Sequence, residues 1–413
     1  MKRYDEYKQT GTPWIGEIPS HWECKQFRYA IKHITTGLNP RSNFVLGEGN
    51  NYYVTIRNFE NGKLNLDSEC DNINDEALKI IHKRSDLKKG DILFASISEE
   101  GKAYVLRENP SNWDINESVF SIRPNKELNS DFLFYVLTDN SFYKPLRIGA
   151  TGTTFSSIKQ EQLKGALIAI PPIVEQQLIV EYIDSKIKPI DAVISTQERR
   201  IALLEELKQS VITEAVTHGI NPDAKLRPSG IDWIGNIPEH WEVMPLKRTM
   251  HICNGADYKH IEAEDGYPVI GSGGIFAYAS DYLFDGEALL LGRKGTIDKP
   301  LYFKGKFWTV DTMFYSIPQK FIVCKYMYYQ SLNFPFDRYS TSTALPSMTS
   351  RDLGNNDVCV PPLSEQEEIV EYIERKIKPI DASITKAKRE IELLKELKQS
   401  VITEAVTGKI KVC

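Results

Sequence analysis

The residues best equipped for chemistry are few and scattered. Asp91, followed by Glu100, Gly101 and Lys102, has the spacing of a D…ExK metal site, in which two carboxylates and a lysine hold magnesium and polarise a water. Asp91 also opens a strand after Gly90, however, and the corresponding part of the chain's second half has only Gly286-Glu287, with no acidic residue beside Lys294. A structural role is the simpler expectation. The stretches IPPI at 170–173 and VPPL at 360–363 lack the polar first residue and the closing aromatic of an adenine-methyltransferase loop. No glycine-rich lysine loop for nucleotide phosphates is present. His21 and His240 each stand beside a tryptophan with no nucleophile or acid patterned around them, so both are expected to be packed structural residues. The six cysteines (24, 70, 253, 324, 359 and 413) are single, without zinc spacing, and neither a metal nor a disulfide framework is expected. What remains is binding chemistry. Arg and Lys bridge guanine edges, while Ser and Thr hold phosphate. The candidates in polar loops are Arg57, Lys102, Thr151, Thr153 and Thr154 in the first half, and Arg293, Lys294, Thr341, Ser342 and Thr343 in the second. The same Ser/Thr loops could instead be turns that cap a helix.

The elements that would position these loops come in duplicate. PPIVEQQLIVEYIDSKIKPID, from Pro171, recurs as PPLSEQEEIVEYIERKIKPID from Pro361, and LLEELKQSVITEAVT, ending at Thr217, recurs as LLKELKQSVITEAVT ending at Thr407. The offset is constant and no gap is needed, so the repeat outranks any local feature. Apolar residues at three- and four-residue steps predict helix. Ile183, Ile187, Ile190, Ile194, Ile201, Leu204 and Val211, with Ile373, Ile377, Ile380, Ile384, Ile391, Leu394 and Val401, form the expected pairing stripe. Part of it keeps a seven-residue period, as in a coiled-coil seam. Pro189 and Pro379 predict a kink or break, leaving a short helix and a longer one from about 190 to 217. One such rod cannot bury its own stripe. Two in one chain can bury each other, antiparallel.

A second repeat precedes each unit: TGTPWIGEIPSHWE at 10–23 and SGIDWIGNIPEHWE at 229–242. Its paired tryptophans are expected to be buried. The middles diverge. INESVFSIRP at 115–124 still aligns with VDTMFYSIP at 310–318, and TGTTFSSI at 151–158 with TSTALPSM at 341–348, while the first copy carries extra residues mostly before Asn116. Short alternating Tyr, Phe, Ile, Val and Thr runs punctuated by Gly, Asn and Asp predict mostly β domains with a few helices, among them SDFLFYVLTDNSFYKPL and CKYMYYQSLNFPFDRY. The expected division is a segment at 1–23 repeated at 219–242, mostly β units at 24–170 and 243–360, and helical regions at 171–218 and 361–413. The fold class is therefore α+β: two mostly β domains separated by a pair of long helices in an antiparallel coiled coil, with pseudo-twofold symmetry. Composition adds outer bounds. No run approaches the ~18 apolar residues of a membrane span, and the start has no leader-like apolar stretch, so a cytoplasmic protein is expected. The net charge of −5 demands that any nucleic-acid contact use a local basic face.

PPxxEQ at 171–176 and 361–366, IDxxI at 190–194 and 380–384, the TEAVT ends, and GRKGTIDKP at 292–300 followed by VDTMFYSIP and STSTALPSM together resemble the specificity subunit of Type I restriction–modification systems. The resemblance covers essentially the whole chain. It implies a non-catalytic subunit whose two target-recognition domains each read, in the major groove, one part of an asymmetric two-part sequence in double-stranded DNA. It further implies that the paired helices set the unread gap and dock two methyltransferase subunits, which restriction (nuclease–translocase) subunits join for host defence. The chain itself would need no cofactor. S-adenosylmethionine, ATP and Mg would belong to the partners. A structural adaptor that uses the rods to join proteins is the competing reading. The divergence of the two middles counts against it.

Overall fold

The computed structural model describes residues 2–60, 62–67, 70–98, 100–148, 157–339 and 346–412. The chain divides into two compact units, residues 1–196 with 390–413, and residues 197–389. Each unit is therefore built from the first part of one helical repeat and the last part of the other, a division that cuts across the sequence-based domains.

In the first unit, strands β1 (Ile31–Thr36), β2 (Asn51–Val54) and β3 (Asp71–Ile73) precede helix α1 (Asp75–Ser85). There follow β4 (Ile92–Ala95), β5 (Ala103–Val105), β6 (Trp113–Ile115) and β7 (Val119–Pro124). The strands form a sheet of order β5-β4-β7-β1 and a smaller sheet of order β6-β2-β3, in which β6 and β2 run parallel. Helices α2 (Ser130–Thr138) and α3 (Asn140–Ile148) cover the larger sheet. The stretch expected as a single helix from Ser130 divides at Asp139, whose extended backbone ends α2 and whose side chain accepts from the Ser141 N–H (3.1 Å) and hydroxyl (2.6 Å).

The long helix α4 spans Ile173–His218 without interruption. In the second unit β8 (Met250–Asn254), β9 (Tyr267–Gly271), β10 (Gly274–Ala279), β11 (Phe284–Gly292), β12 (Leu301–Thr309) and β13 (Met313–Pro318) precede α5 (Cys324–Ser331) and the second long helix, α6 (Leu363–Val406). The order β12-β11-β13-β8 repeats that of the first unit strand for strand, and the parallel β12–β9 pair repeats β6–β2. Here a single strand, β12, does the work of β5 and β6 and joins both sheets into one of seven strands. About half of the first unit's extra length lies at α1, where residues 74–91 link β3 to β4 and only residues 280–283 link β10 to β11; most of the rest lies between β2 and β3, where residues 55–70 stand against residues 272–273.

The break expected at the prolines does not occur, since Pro189 and Pro379 lie inside continuous helices. Buried Ile183 and Ile187 anchor the turns before Pro189, and buried Ile194 the turn after it. Ser185, whose carbonyl loses its partner, is exposed and can hydrogen-bond water instead. The helices run antiparallel in each unit. In the first, Lys398 Nζ donates to Asp191 Oδ1 (2.7 Å); in the second, Lys208 Nζ donates to Asp381 Oδ1 (2.7 Å). These are one contact made twice, because Asp191 and Lys208 are the repeat counterparts of Asp381 and Lys398. Along the stripe Ile187, Ile194, Ile384 and Ile391 are buried, while Ile190, Ile201, Leu204, Val211, Ile377, Ile380, Leu394 and Val401 are half-buried. Ile183 and Ile373 sit deeper, in the domain cores rather than along an isolated rod.

The PPxxEQ sequence is a fastening. In the first unit Gln176 accepts from the Asn129 N–H (2.7 Å) and donates to the carbonyls of Glu127 and Pro171 (both 2.8 Å). Gln366 in the second accepts from Val323 N–H (2.9 Å) and donates to Phe321 (3.0 Å) and Pro361 (2.9 Å). The preceding glutamates hold the start segments: Glu175 meets His21 at 2.9 Å, and Glu365 meets His240 at 2.7 Å and Trp241 Nε1 at 3.0 Å. Both histidines thus anchor a glutamate by a hydrogen bond, half exposed rather than packed inside. Trp22 and Trp241 are fully buried against the far end of a helical repeat, with Ile402, Ala405 and Val406 in the first unit and Ile212, Ala215 and Val216 in the second.

Candidate nucleic-acid interface

Each unit gathers its strand ends into one rim, and the two rims share a backbone frame. In the first unit the Ser96 N–H donates to Ser118 O (2.8 Å), the Ile158 N–H to Ser96 O (2.9 Å), and the Ala95 N–H to Lys102 O (2.9 Å). The Asn116 N–H reaches Val54 O (2.9 Å), three residues before Arg57. In the second unit the Arg293 N–H donates to Thr312 O (2.8 Å) and the Met348 N–H to Arg293 O (2.9 Å). The frame is fixed by glycine. A Cβ on Gly37 would lie 1.7 Å from Ile115 O, and one on Gly255 would lie 2.0 Å from Val310 O, the same close approach in each copy.

On this frame the side chains differ. Arg293 occupies the place that Ser96 holds in the first unit. Its guanidinium stacks over the Phe314 ring (5.9 Å) and donates to the Asp311 carbonyl (3.4 Å). Lys294 is exposed. Its backbone bridges Ser347, and the Gly295 N–H reaches Pro346 O (2.9 Å). Arg57 and Lys102 are exposed on the first rim, Arg57 in a short helical turn capped by Thr55. Thr151, Thr153, Thr154, Thr341, Ser342 and Thr343 lie outside the described residues, although the segments that follow them, at Ile158 and Pro346–Met348, are held on the rims.

The metal-site candidate resolves differently. Asp91 is buried and its carboxylate is consumed by Arg123 (Nε to Oδ1 2.7 Å, Nη2 to Oδ2 2.8 Å) and by the Lys88 N–H (2.9 Å). Those hydrogen bonds hold the Arg123 guanidinium far into its charged form. Glu100 and Lys102 are exposed and make no bond to Asp91. Among the described residues no three His, Cys, Asp or Glu side chains cluster as metal ligands. Burial pushes the Cys324 and Cys359 thiols up to about 12, so neither supplies a thiolate at neutral pH.

One anchored group escaped the sequence reading. His82 Nδ1 pairs with Asp114, which is fully buried in β6 and also accepts from Ser85 Oγ (2.8 Å). The arrangement is not a hydrolytic triad, because the serine bonds the carboxylate rather than the imidazole. It fastens the last turn of α1 to the smaller sheet. No periodic signal links residues 82, 85 and 114; only the strand pairing brings them together.

Comparison with known proteins agrees with this geometry. The family described as Type I restriction modification DNA specificity domain matches residues 31–205 and 238–393. The putative type I restriction enzyme MjaX specificity subunit of Methanocaldococcus jannaschii is 26% identical over 96% of both chains. The EcoKI specificity subunit of Escherichia coli K12 is 20% identical over 70% of this chain and 67% of its own. A chain from a structure on complex assembly and conformational transition of the type I R-M system superposes with a TM-score of 0.62 at 16% identity, over 95% of this chain and 99% of that one, a likeness of fold. Among the described residues no helix is long and apolar enough to cross a membrane.

Proposed function

The chain belongs to the Type I restriction–modification DNA specificity family, and on that premise we propose that its two rims each read one part of an asymmetric, two-part DNA sequence. The observation that carries this reading is the shared frame with exchanged side chains: Ser96, Ser118 and Ile158 in one unit, Arg293, Thr312 and Met348 in the other. A scaffold kept twice with different chemistry at the same strand ends suits two different base sequences. The major groove distinguishes all four base pairs, so polar and cationic side chains held there can discriminate. Arg57, Lys102, Arg293 and Lys294 are the cations we assign to DNA, together with Thr151, Thr153, Thr154, Thr341, Ser342 and Thr343.

The continuous helices join the two recognition regions along the chain and fix how many base pairs lie unread between the two parts. They also provide the docking surface for two methyltransferase subunits, to which nuclease–translocase subunits are added. Chemistry belongs to those partners, with S-adenosylmethionine, ATP and Mg, and the complex works in the cytoplasm.

Methylome sequencing of a host expressing the complex tests the reading. Replacing residues 24–170 with those of another family member changes one part of the methylated motif and preserves the other. A change in both parts refutes modular reading. Inserting four residues in both helices between the units lengthens the unread gap by about two base pairs, at ~1.5 Å per residue against ~3.4 Å per base pair. An unchanged gap removes the spacing role.

A further inference from the structure

We propose that α1 (Asp75–Ser85), present in the first unit and without counterpart in the second, is a reading helix that enters the DNA major groove through Lys79, Ile80 and Lys83. The inference rests on the DNA-recognition reading and assigns it to an element outside the rim loops.

Three independent features converge on this helix. The first is its exposed face. Ala77, Leu78 and Ile81 are buried against Tyr53 and Ile73, which leaves Lys79, Ile80 and Lys83 outward, the two lysines one turn apart and Ile80 to one side of them. Ile80 is 47% exposed, an apolar side chain beside two cations that make no ion pair with a described residue. Charge ordering along a helix dipole accounts for acidic Asp75 and Glu76 at the start and basic residues at the end. It does not account for an isoleucine left in water beside a row of lysines. Lysines one turn apart that reach phosphates along one side of an apolar contact to a thymine methyl do account for it.

The second feature is rigidity. A helix that reads bases must be held from behind. Asn74 caps the start through its bond from Ala77 N–H (2.9 Å), and the left-handed Asp86 closes the end by donating to His82 O (3.0 Å). The last turn is then tied twice, by the His82–Asp114–Ser85 group and by Arg84, whose Nε donates to Gly37 O (3.0 Å). None of these ties uses Lys79, Ile80 or Lys83.

The third feature is position. Gly37, which holds Arg84, presses on Ile115 O, and the rim begins at the next residue, Asn116. The end of α1 thus adjoins the surface already assigned to DNA. In the second unit residues 280–283 make the same connection and offer no helix. The two units would therefore read DNA with different elements, the first with helix and rim, the second with rim alone.

The test uses the full chain with its methyltransferase subunit and a library of randomised duplexes. The wild-type complex selects a two-part motif. Ile80→Asn alters base preference by about tenfold at one or two positions within one part only. In a titration against salt on a fixed random-sequence duplex, Lys79→Ala with Lys83→Ala makes the slope of log affinity against log salt shallower by about 2. All three side chains are exposed, and circular dichroism confirms unchanged folding. An unchanged motif, or an unchanged slope, overturns this inference while leaving the proposed function standing. Loss of the methyltransferase subunit from the lysine variant, with DNA affinity per complex unaltered, assigns the face to protein contact and overturns it equally. A wild-type complex that selects no motif overturns both readings.

Discussion

Gln176 and Gln366 are a repeated pair that fastens each long helix to its domain. Each is fully buried and makes three bonds to the backbone, one accepted and two donated, all of 2.7–3.0 Å. Methionine at either position keeps the volume and loses all three. At about 1 kcal/mol net per neutral hydrogen bond, the floor is about 3 kcal/mol. The bonds to the Pro171 and Pro361 carbonyls are buried, so stranding that carbonyl raises the loss to about 3–5 kcal/mol. Glutamate tells the donor role from the acceptor role. It still accepts from the N–H, but its second oxygen faces two carbonyls, so Gln366→Glu is worse than Gln366→Met at neutral pH and recovers partly in acid, where a protonated carboxyl donates once. Urea denaturation followed by tryptophan fluorescence measures the loss, and amide exchange localises it, because residues 321–323 lose protection in the Gln366 variants and residues 127–129 in the Gln176 variants. Because the two sets of bonds match, the two methionine variants lose equal stability within about 1 kcal/mol. A loss below about 1 kcal/mol in either, or exchange spread evenly over both units, refutes the assignment of PPxxEQ as a fastening.

Other expectations follow from single contacts. Burial raises the Asp139 pKa above its ordinary value, so its contribution to stability is full below the unfolded value of ~4 and is lost as pH rises toward the folded value; Asp139→Asn, which copies the Asn333 that receives Thr213 Oγ1 (2.5 Å) in the second unit, removes that pH dependence in denaturation curves measured from pH 3 to 7. Asp381→Lys costs ~0.2–1 kcal/mol, since both partners are partly exposed, and Lys208→Asp in the same chain recovers it in a double-mutant cycle. Arg123→Met leaves the buried Asp91 carboxylate without its cation and costs about 3–5 kcal/mol by the same urea assay.

The long helices, their antiparallel pairing and the duplicated start segments were legible because each rests on a local period or on near-identical text. Ile187, Ile194 and Leu204 fall on one stripe whatever surrounds them. Even there, local rules misjudged the break at Pro189: a proline costs about 3 kcal/mol in a free helix, but this helix continues past it, with isoleucines buried on both sides. The interface was far less legible. Arg293 was found as a cation in a polar loop, yet its counterpart Ser96 was not, because insertions shift the alignment between the units and only the bonds to Thr312 and Ser118 establish the equivalence. Asp91 shows the opposite failure. Its spacing to Glu100 and Lys102 suggested a metal site, while its actual partner, Arg123, lies on the neighbouring strand, 32 residues further along the chain.

Divergence in the middles also bears on how such a chain can change what it reads. The hydrogen bonds that define the rims are backbone to backbone, so a side chain at Ser96, Arg293 or Thr312 can be exchanged without unmaking the frame. The glycines cannot be exchanged: any side chain at Gly37 or Gly255 drives into a carbonyl, closer than atoms approach. Gly255→Ala should therefore abolish reading by the second unit and leave the first unit's part of the methylated motif intact, whereas Arg293→Ser should retain binding and change the bases preferred. If Gly255→Ala leaves both parts of the motif unaltered, the frame does not hold the reading surface, and the equivalence of the two rims has no functional meaning.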